Sequence, residues 1–255
     1  MENSTKINQL LLKWPNKVVY LTSWLVKEGY SMQLLHRYKK SNWIKAFGNG
    51  AIQKCGDKIT IEGALYALQQ QADLGIHPAG RTALSLMGKT HYLELMAKNY
   101  VLFGNKGEKL PTWMANQKWE KEIKYYSSLF LPANIGLVDK DMNGFTIKVS
   151  SSARAIMECL YLSPKDQELM ECYEMMEGLN NLRPSLVQEL LEQCTSVKVK
   201  RLFLYMAKKA GHAWYEMLNV EKIDLGSGKR KLVENGVYIS EFKITVPKDL
   251  ANGEL

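Results

Sequence analysis

Between Met32 and Lys40 the apolar positions recur at helical spacing, with Leu34, Leu35 and Tyr38 on one side. Gln33, His36, Arg37 and Lys40 fall within about 100° on the other side, at roughly 100° per residue. One face of this segment can pack while the other meets a ligand. Ser31 stands where a hydroxyl can cap the helix start, and Thr22 or Ser23 can cap a shorter helix upstream, through Lys27. That shorter helix is expected to end at Gly29. Downstream, Trp43 to Phe47 and Ala51 to Lys54 read as short strands around "GNG", a good hairpin turn.

The order over Val19 to Lys58 is helix, glycine turn, helix with a basic face, hairpin. That is the order of a winged helix-turn-helix, which puts one helix into the DNA major groove. Flanking it, Ile7 to Lys13 reads as a helix stopped at Trp14-Pro15, because the residue before proline resists the helical region. Glu62 to Asp73 carries Leu65, Leu68 and Ala72 on one side, and Arg81 to Met87 is a further helix closed by Gly88.

The pattern then changes, and a domain boundary is expected near His91. Asn99 to Phe103 and Gly144 to Val149 read as strands, with "GNKGEK" and "DKDMNG" as turns. Ser152 to Leu162, Lys165 to Leu182, Pro184 to Cys194 and Val197 to Gly211 are expected as four successive helices, with Pro164 and Pro184 where first-turn prolines are tolerated. The chain closes with a Gly-rich basic turn and two strands. The expected fold class is α+β: a winged helix-turn-helix domain over residues 1–90, then a larger mixed α/β domain with several helices over 91–255.

Charge sharpens this picture. Residues 1–90 hold 12 Lys and Arg against 5 Asp and Glu, so they carry nearly all of the chain's net +8. A localised basic surface suits a polyphosphate partner. Residues 150–196, by contrast, hold 3 basic and 8 acidic side chains. No stretch approaches the roughly 20 apolar residues of a membrane span, and the first residues lack a signal-peptide cleavage pattern. A cytoplasmic protein without membrane partners is expected. Cys55, Cys159, Cys172 and Cys194 form no C-x-x-C pair, so reduced thiols are the default.

On the second helix, Arg37 can bond guanine bidentately, Gln33 can pair with adenine and Lys40 suits a phosphate. Ser31 can add donors at the helix start. The hairpin offers Lys45, Asn49, Gln53 and Lys54 to backbone or minor groove; edge lysines that deter aggregation are the alternative reading. Along Val197 to His212, Lys198, Arg201, Tyr205, Lys208, Lys209 and His212 form a basic stripe opposite Val199, Leu202, Phe203, Met206 and Ala210. That stripe could meet nucleic acid or the acidic helices before it. No catalytic residue, metal site or cofactor motif is found: there is no P-loop, no Rossmann glycine run, no G-x-S-x-G and no histidine pair at metal spacing. "DKD" at Asp139 to Asp141 reads as a turn, and "GSGKR" at Gly226 to Arg230 as a flexible basic turn lacking the full P-loop pattern.

Four blocks, "WPNKVVYLTSWLVKEGYSMQLLHRYKKSNWI", "GNGAIQKCGDKITIEGALYALQQQADLGIHPAGRTALSLMGKTHYL", "KLPTWM" and "LGSGKRKL…YISEFKITVP", run in order from about Trp14 to Pro247. They resemble the AbiEi antitoxins of abortive-infection toxin–antitoxin systems. The resemblance implies a protein that represses its own operon by binding inverted repeats in promoter DNA. It also implies neutralisation of a nucleotidyltransferase-like toxin in a type IV arrangement, which needs no stable complex. The matching DNA-facing block is Ser31 to Ser41, which adds Lys39 and Ser41 to the residues above. The matching C-terminal basic positions are Lys198, Lys200, Arg201, Lys208 and Lys209. The family often has Gly where Asn42 stands, favours an aromatic and an arginine where this chain has Ile52 and Lys54, and tends to read Val-Gly-Gly at Pro78-Ala79-Gly80.

The expectation is therefore a non-enzymatic antitoxin and autorepressor. Two alternatives stay open on the residues alone: a nucleic-acid-processing enzyme with a winged delivery domain, and an adaptor that binds the toxin directly.

Overall fold

The computed structural model describes residues 5–89 and 99–252. The expected boundary at His91 lies outside the described residues. By contacts the chain forms two units that interleave along the sequence. Unit 1 comprises Met1–His77, Phe103–Ser127 and Asp139–Lys148, and unit 2 comprises Pro78–Leu102, Ser128–Val138 and Val149–Leu255.

Unit 1 opens with α1 (Lys6–Lys13), capped by Thr5 and closed at Trp14. Trp14 is buried, donates its indole N–H to Val18 O at 2.9 Å and stacks on Tyr20 with centroids 4.1 Å apart. Then come β1 (Tyr20–Leu21), α2 (Thr22–Lys27), α3 (Met32–Lys40), β2 (Ile44–Gly48), β3 (Ala51–Lys54) and α4 (Ile61–Gln70). The three strands form an antiparallel sheet in the order β1-β3-β2, pairing Tyr20 with Ile52 and Lys45 with Gln53. Gln71 fixes β1 to α4, accepting from Leu21 N at 2.7 Å. Part of β4 (His77–Pro78) and part of β5 (Asn99–Gly104), with α6 (Thr112–Ala115) and β6 (Glu122–Ser127), complete this unit's described elements apart from a hairpin tip. That tip joins β7 (Leu137–Asp141) to β8 (Thr146–Ser150), and Phe145 on it meets Tyr66 of α4 edge to face. The "DKD" segment is in strand and leads into a turn: Asp141 accepts from Gly144 N, and Asp139 pairs with Lys148 at 3.1 Å.

Unit 2 is built on α5 (Gly80–Leu86), α7 (Ser152–Leu162), α8 (Leu169–Glu177), α9 (Pro184–Gln193), α10 (Val197–Lys209) and α11 (Lys248–Asn252). Ser151 and Ser196 cap α7 and α10, and Pro184 opens α9. A small sheet, in the order β10-β11-β9, joins β9 (Arg230–Lys231), β10 (Val237–Ile239) and β11 (Ile244–Val246). This is one strand more than the sequence pattern predicts. α8 is shorter than the expected Lys165–Leu182. Asp166 N closes a turn on Leu162 O, and the helix stops at Gly178.

A buried ion pair ties α5 to α7. Glu158, with no exposed surface, accepts from Arg154 Nε at 2.9 Å, from Ser150 Oγ and from Gly80 N at 2.9 Å. Gly80 N belongs to the first turn of α5, where a carboxylate opposes the positive end of the helix dipole. Arg154 Nη1 reaches Pro132 O and Ile135 O at 2.5 and 2.6 Å. Among the described residues no buried side-chain N or O lacks a hydrogen bond.

Cys159, Cys172 and Cys194 are buried and Cys55 is exposed. Burial pushes the Cys172 thiol up to about 12 and raises Cys159 and Cys194 as well. Only thiolates react quickly with a disulfide reagent. Titration of the native protein with such a reagent at pH 8 is therefore expected to show one fast thiol, lost in Cys55→Ser, and all four after denaturation.

Candidate nucleic-acid interface

The α2–α3 pair is held by backbone chemistry at three points. At the end of α2, Gly29 N bonds Val26 O at 3.1 Å and Tyr30 N bonds Leu25 O at 3.0 Å, with Gly29 at φ 87°. This is a Schellman closure, and glycine takes its left-handed residue without a Cβ clash. Ser31 then caps α3, its Oγ accepting from Leu34 N at 3.3 Å. The same closure recurs after α3, where Asn42 N bonds Lys39 O and Trp43 N bonds Tyr38 O, with Asn42 at φ 56°. Asparagine is among the few side chains that visit this region, so Asn42 can make this closure without a glycine.

The start of α2 differs from the expected cap. Neither Thr22 nor Ser23 caps it; Leu21 occupies that position, and Thr22 N is satisfied by Gly50 O of the hairpin turn at 2.9 Å. That bond joins the first helix of the pair directly to the wing.

α3 is clamped from one side only. Leu35 and Tyr38 are buried, while Gln33, His36, Arg37, Lys39 and Lys40 are exposed, as are Ser31 and Ser41. Lys45 and Asn49, on β2 and at the hairpin turn, are exposed too. No ion pair reaches Arg37, Lys39, Lys40 or Lys45 among the described residues. Their charge is left to solvent and counterions.

Two expected wing residues are engaged elsewhere. Lys54 donates to Trp14 O at 2.9 Å and to Asn16 Oδ1, tying β3 to the end of α1. Gln53 is buried, its amide donating to Asp57 O at 3.0 Å. Sequence spacing cannot tell an outward lysine from one folded back onto carbonyls.

The pattern missed the support behind the wing. Phe47 packs against Trp113 and Trp119, with centroids 6.1 and 5.9 Å away, and Gln117 donates to Phe47 O at 2.6 Å. A Cβ on Gly48 would stand 2.7 Å from Trp113 Cβ, so only glycine lets α6 approach. The "KLPTWM" block was the available signal for this contact.

The basic stripe expected on α10 is not a solvent face. Residues Val199 to Ala207 are buried all round, Lys200 and Arg201 included, at 4% and 1% exposure. Arg201 donates to Leu225 O, Gly226 O, Gly228 O and Lys243 O at 2.6–3.1 Å. The "GSGKR" loop thus turns carbonyls inward onto a guanidinium, the reverse of a phosphate cradle, which turns amides inward. Lys198 donates to Tyr161 O and Ser163 O at the C-terminal end of α7, and burial, reinforced by Arg230, pulls its pKa below the ordinary lysine range. Lys208 pairs with Glu241 at 2.7 Å, and Lys209 lies over the Tyr173 ring. His212 is also buried, its Nε2 bonded to Met176 O at 2.7 Å.

The two halves of the chain match two family models. Residues 3–95 match the one described as "Transcriptional regulator, AbiEi antitoxin N-terminal domain". Residues 97–247 match "Transcriptional regulator, AbiEi antitoxin, Type IV TA system". The chain belongs to the AbiEi family of antitoxins and transcriptional regulators. The AbiEi models meet between residues 95 and 97, whereas the contact units interleave. Among solved structures the chain is similar to the RV2827C protein from Mycobacterium tuberculosis, with a TM-score of 0.59 and 12% identity over 93% of this chain and 88% of that one. At that identity the likeness is one of fold. No curated protein matches the chain significantly. Among the described residues, no group of three His, Cys, Asp or Glu is placed to hold a metal, and no helix is long and apolar enough to cross a membrane.

Buried and exposed cations of this AbiEi protein are expected to part company in stability. Arg201→Met strands four carbonyl acceptors and is expected to cost about 2–3 kcal/mol in urea denaturation. Lys40→Ala is expected to stay within about 0.5 kcal/mol of the parent. A near-neutral Arg201→Met would show that the loop finds other donors.

Proposed function

We propose that this AbiEi protein is the autorepressor and antitoxin of a type IV toxin–antitoxin operon, acting in the cytoplasm. Its α3 enters the major groove of inverted-repeat promoter DNA, with the β2–β3 hairpin as wing. The reading is carried by one observation: α3 is locked by Leu35 and Tyr38 on one side and shows on the other an exposed cationic face with no ion pair among the described residues. An α-helix fits the major groove, and cations along it release counterions from the duplex.

Roles divide by chemistry. Gln33 and Arg37 carry the geometry for bidentate base readout, each good pair contributing about 1–3 kcal/mol of discrimination. Lys39, Lys40 and Lys45 serve phosphates, with His36, Ser41 and Asn49 beside them. Ser31 contributes its place at the helix start, since its hydroxyl is spent on the cap. Lys54, Lys200 and Arg201 are left out of the contact surface, because each is committed to or buried within the fold. The chain is proposed to act as a regulator rather than an enzyme. Its functional partner is proposed to be a nucleotidyltransferase-like toxin, countered by residues 91–255 without a stable complex; family membership supports both.

Fluorescence anisotropy on the DNA just upstream of its own gene, against a scrambled duplex at several salt concentrations, tests the repressor reading. The parent protein is expected to prefer the promoter, with a log–log salt slope of about −0.9 per phosphate neutralised. Arg37→Ala is expected to lose preference, whereas Lys40→Ala weakens all duplexes alike and lowers the slope by about one phosphate. Uniform loss from both variants would overturn the division of roles, and equal weak binding to both duplexes would overturn the repressor reading. Co-expression of the neighbouring toxin gene, with growth as readout, tests the antitoxin half.

A further inference from the structure

We propose that Met32 reads a thymine through its 5-methyl group and is a specificity residue of the α3 surface. The inference rests on the DNA-binding reading above. Met32 is the first residue of α3 and stands 60% exposed, the one exposed large apolar side chain on that helix. It contributes little to the fold, because Leu35 and Tyr38 already supply the buried side of α3. Its position is nonetheless fixed. Ser31 caps the turn through Leu34 N, and Tyr30 N closes the end of α2 on Leu25 O at 3.0 Å.

The surroundings select the occupant. At helical spacing Met32 shares a flank with His36 and Lys39, and the adjoining stripe carries Gln33, Arg37 and Lys40. A thioether set among cations favours an anionic partner that offers an apolar group within reach. The major groove of duplex DNA has that composition: phosphates on both rims and, on its floor, the thymine methyl as its apolar mark. First-turn residues of a recognition helix lie nearest the base edges. A flexible, polarizable methionine side chain can close on a methyl without a preformed pocket.

The test removes only the methyl. Each thymine of the promoter duplex is replaced in turn by deoxyuridine, which leaves base pairing intact, and affinity is read by anisotropy with the full chain. At one thymine per half-site the parent is expected to lose about three- to fivefold, the worth of one buried methyl. Met32→Ala, checked for folding by circular dichroism, is expected to bind the thymine and deoxyuridine duplexes equally there. Promoter preference with a flat deoxyuridine scan would overturn this inference and leave the repressor reading standing. So would a loss of the same size in parent and Met32→Ala. Absence of any promoter preference would overturn both.

Discussion

A cation taken out of water must be met by fixed acceptors, and that constraint sorts the positive charge of this chain. Arg154, Lys198, Lys200 and Arg201 lie within unit 2, and three of them have identified acceptors: a carboxylate, the carbonyls at a helix end and the carbonyls of a loop. An unpaired buried guanidinium would cost several kcal/mol. The loop at Gly226 to Arg230 therefore takes its shape around Arg201, and α5 and α7 are joined through the Arg154–Glu158 pair. Among the described cations without such acceptors, Arg37, Lys39, Lys40 and Lys45 stand on the exposed side of α3 and β2, where a polyphosphate can replace their counterions.

That exposed side is only as useful as its placement, and placement comes from short-range backbone closure. Two successive Schellman closures, at Gly29 and Asn42, set where α2 stops and where α3 gives way to β2. Gly50 O accepts from Thr22 N, so the hairpin tip and the start of α2 hold each other. Behind the hairpin, Phe47 rests on Trp113 and Trp119, 66 and 72 residues later in the chain. The wing is thereby stiffened by part of the chain outside the helix-turn-helix segment, the "KLPTWM" block included. Preorganisation of this kind spares ordering cost on binding.

Local elements were legible in the residues because local physics makes them. The predicted bounds of α3, β3 and α7 coincide with those observed, and α2 ends where predicted, since cap residues, a closing glycine or asparagine and apolar spacing act within a few residues of one another. The exposed face of α3 was legible for the same reason, because a helix with three adjacent apolar positions can bury only one side. α10 shows the limit of the same reasoning. Its two stripes are regular in sequence, yet Arg201, Tyr205 and His212 of the basic stripe are buried like most of the apolar one, because a helix at the centre of a unit can fold long basic side chains back onto carbonyls.

The sequence by itself determined the helix–helix–hairpin order and winged arrangement near the N-terminus, the concentration of charge there and, through its blocks, the AbiEi family. Each of these is written in neighbouring residues or in linear motifs. Only the tertiary structure decided which cations stay exposed: Lys54 turns back to Trp14, Arg201 is enclosed, and Arg37 and Lys40 face solvent without an ion pair among the described residues. It also decided that Trp113 would back the wing and that Glu158 would meet Gly80. Those outcomes depend on acceptors and surfaces contributed by residues distant in the chain, which one-dimensional spacing does not encode.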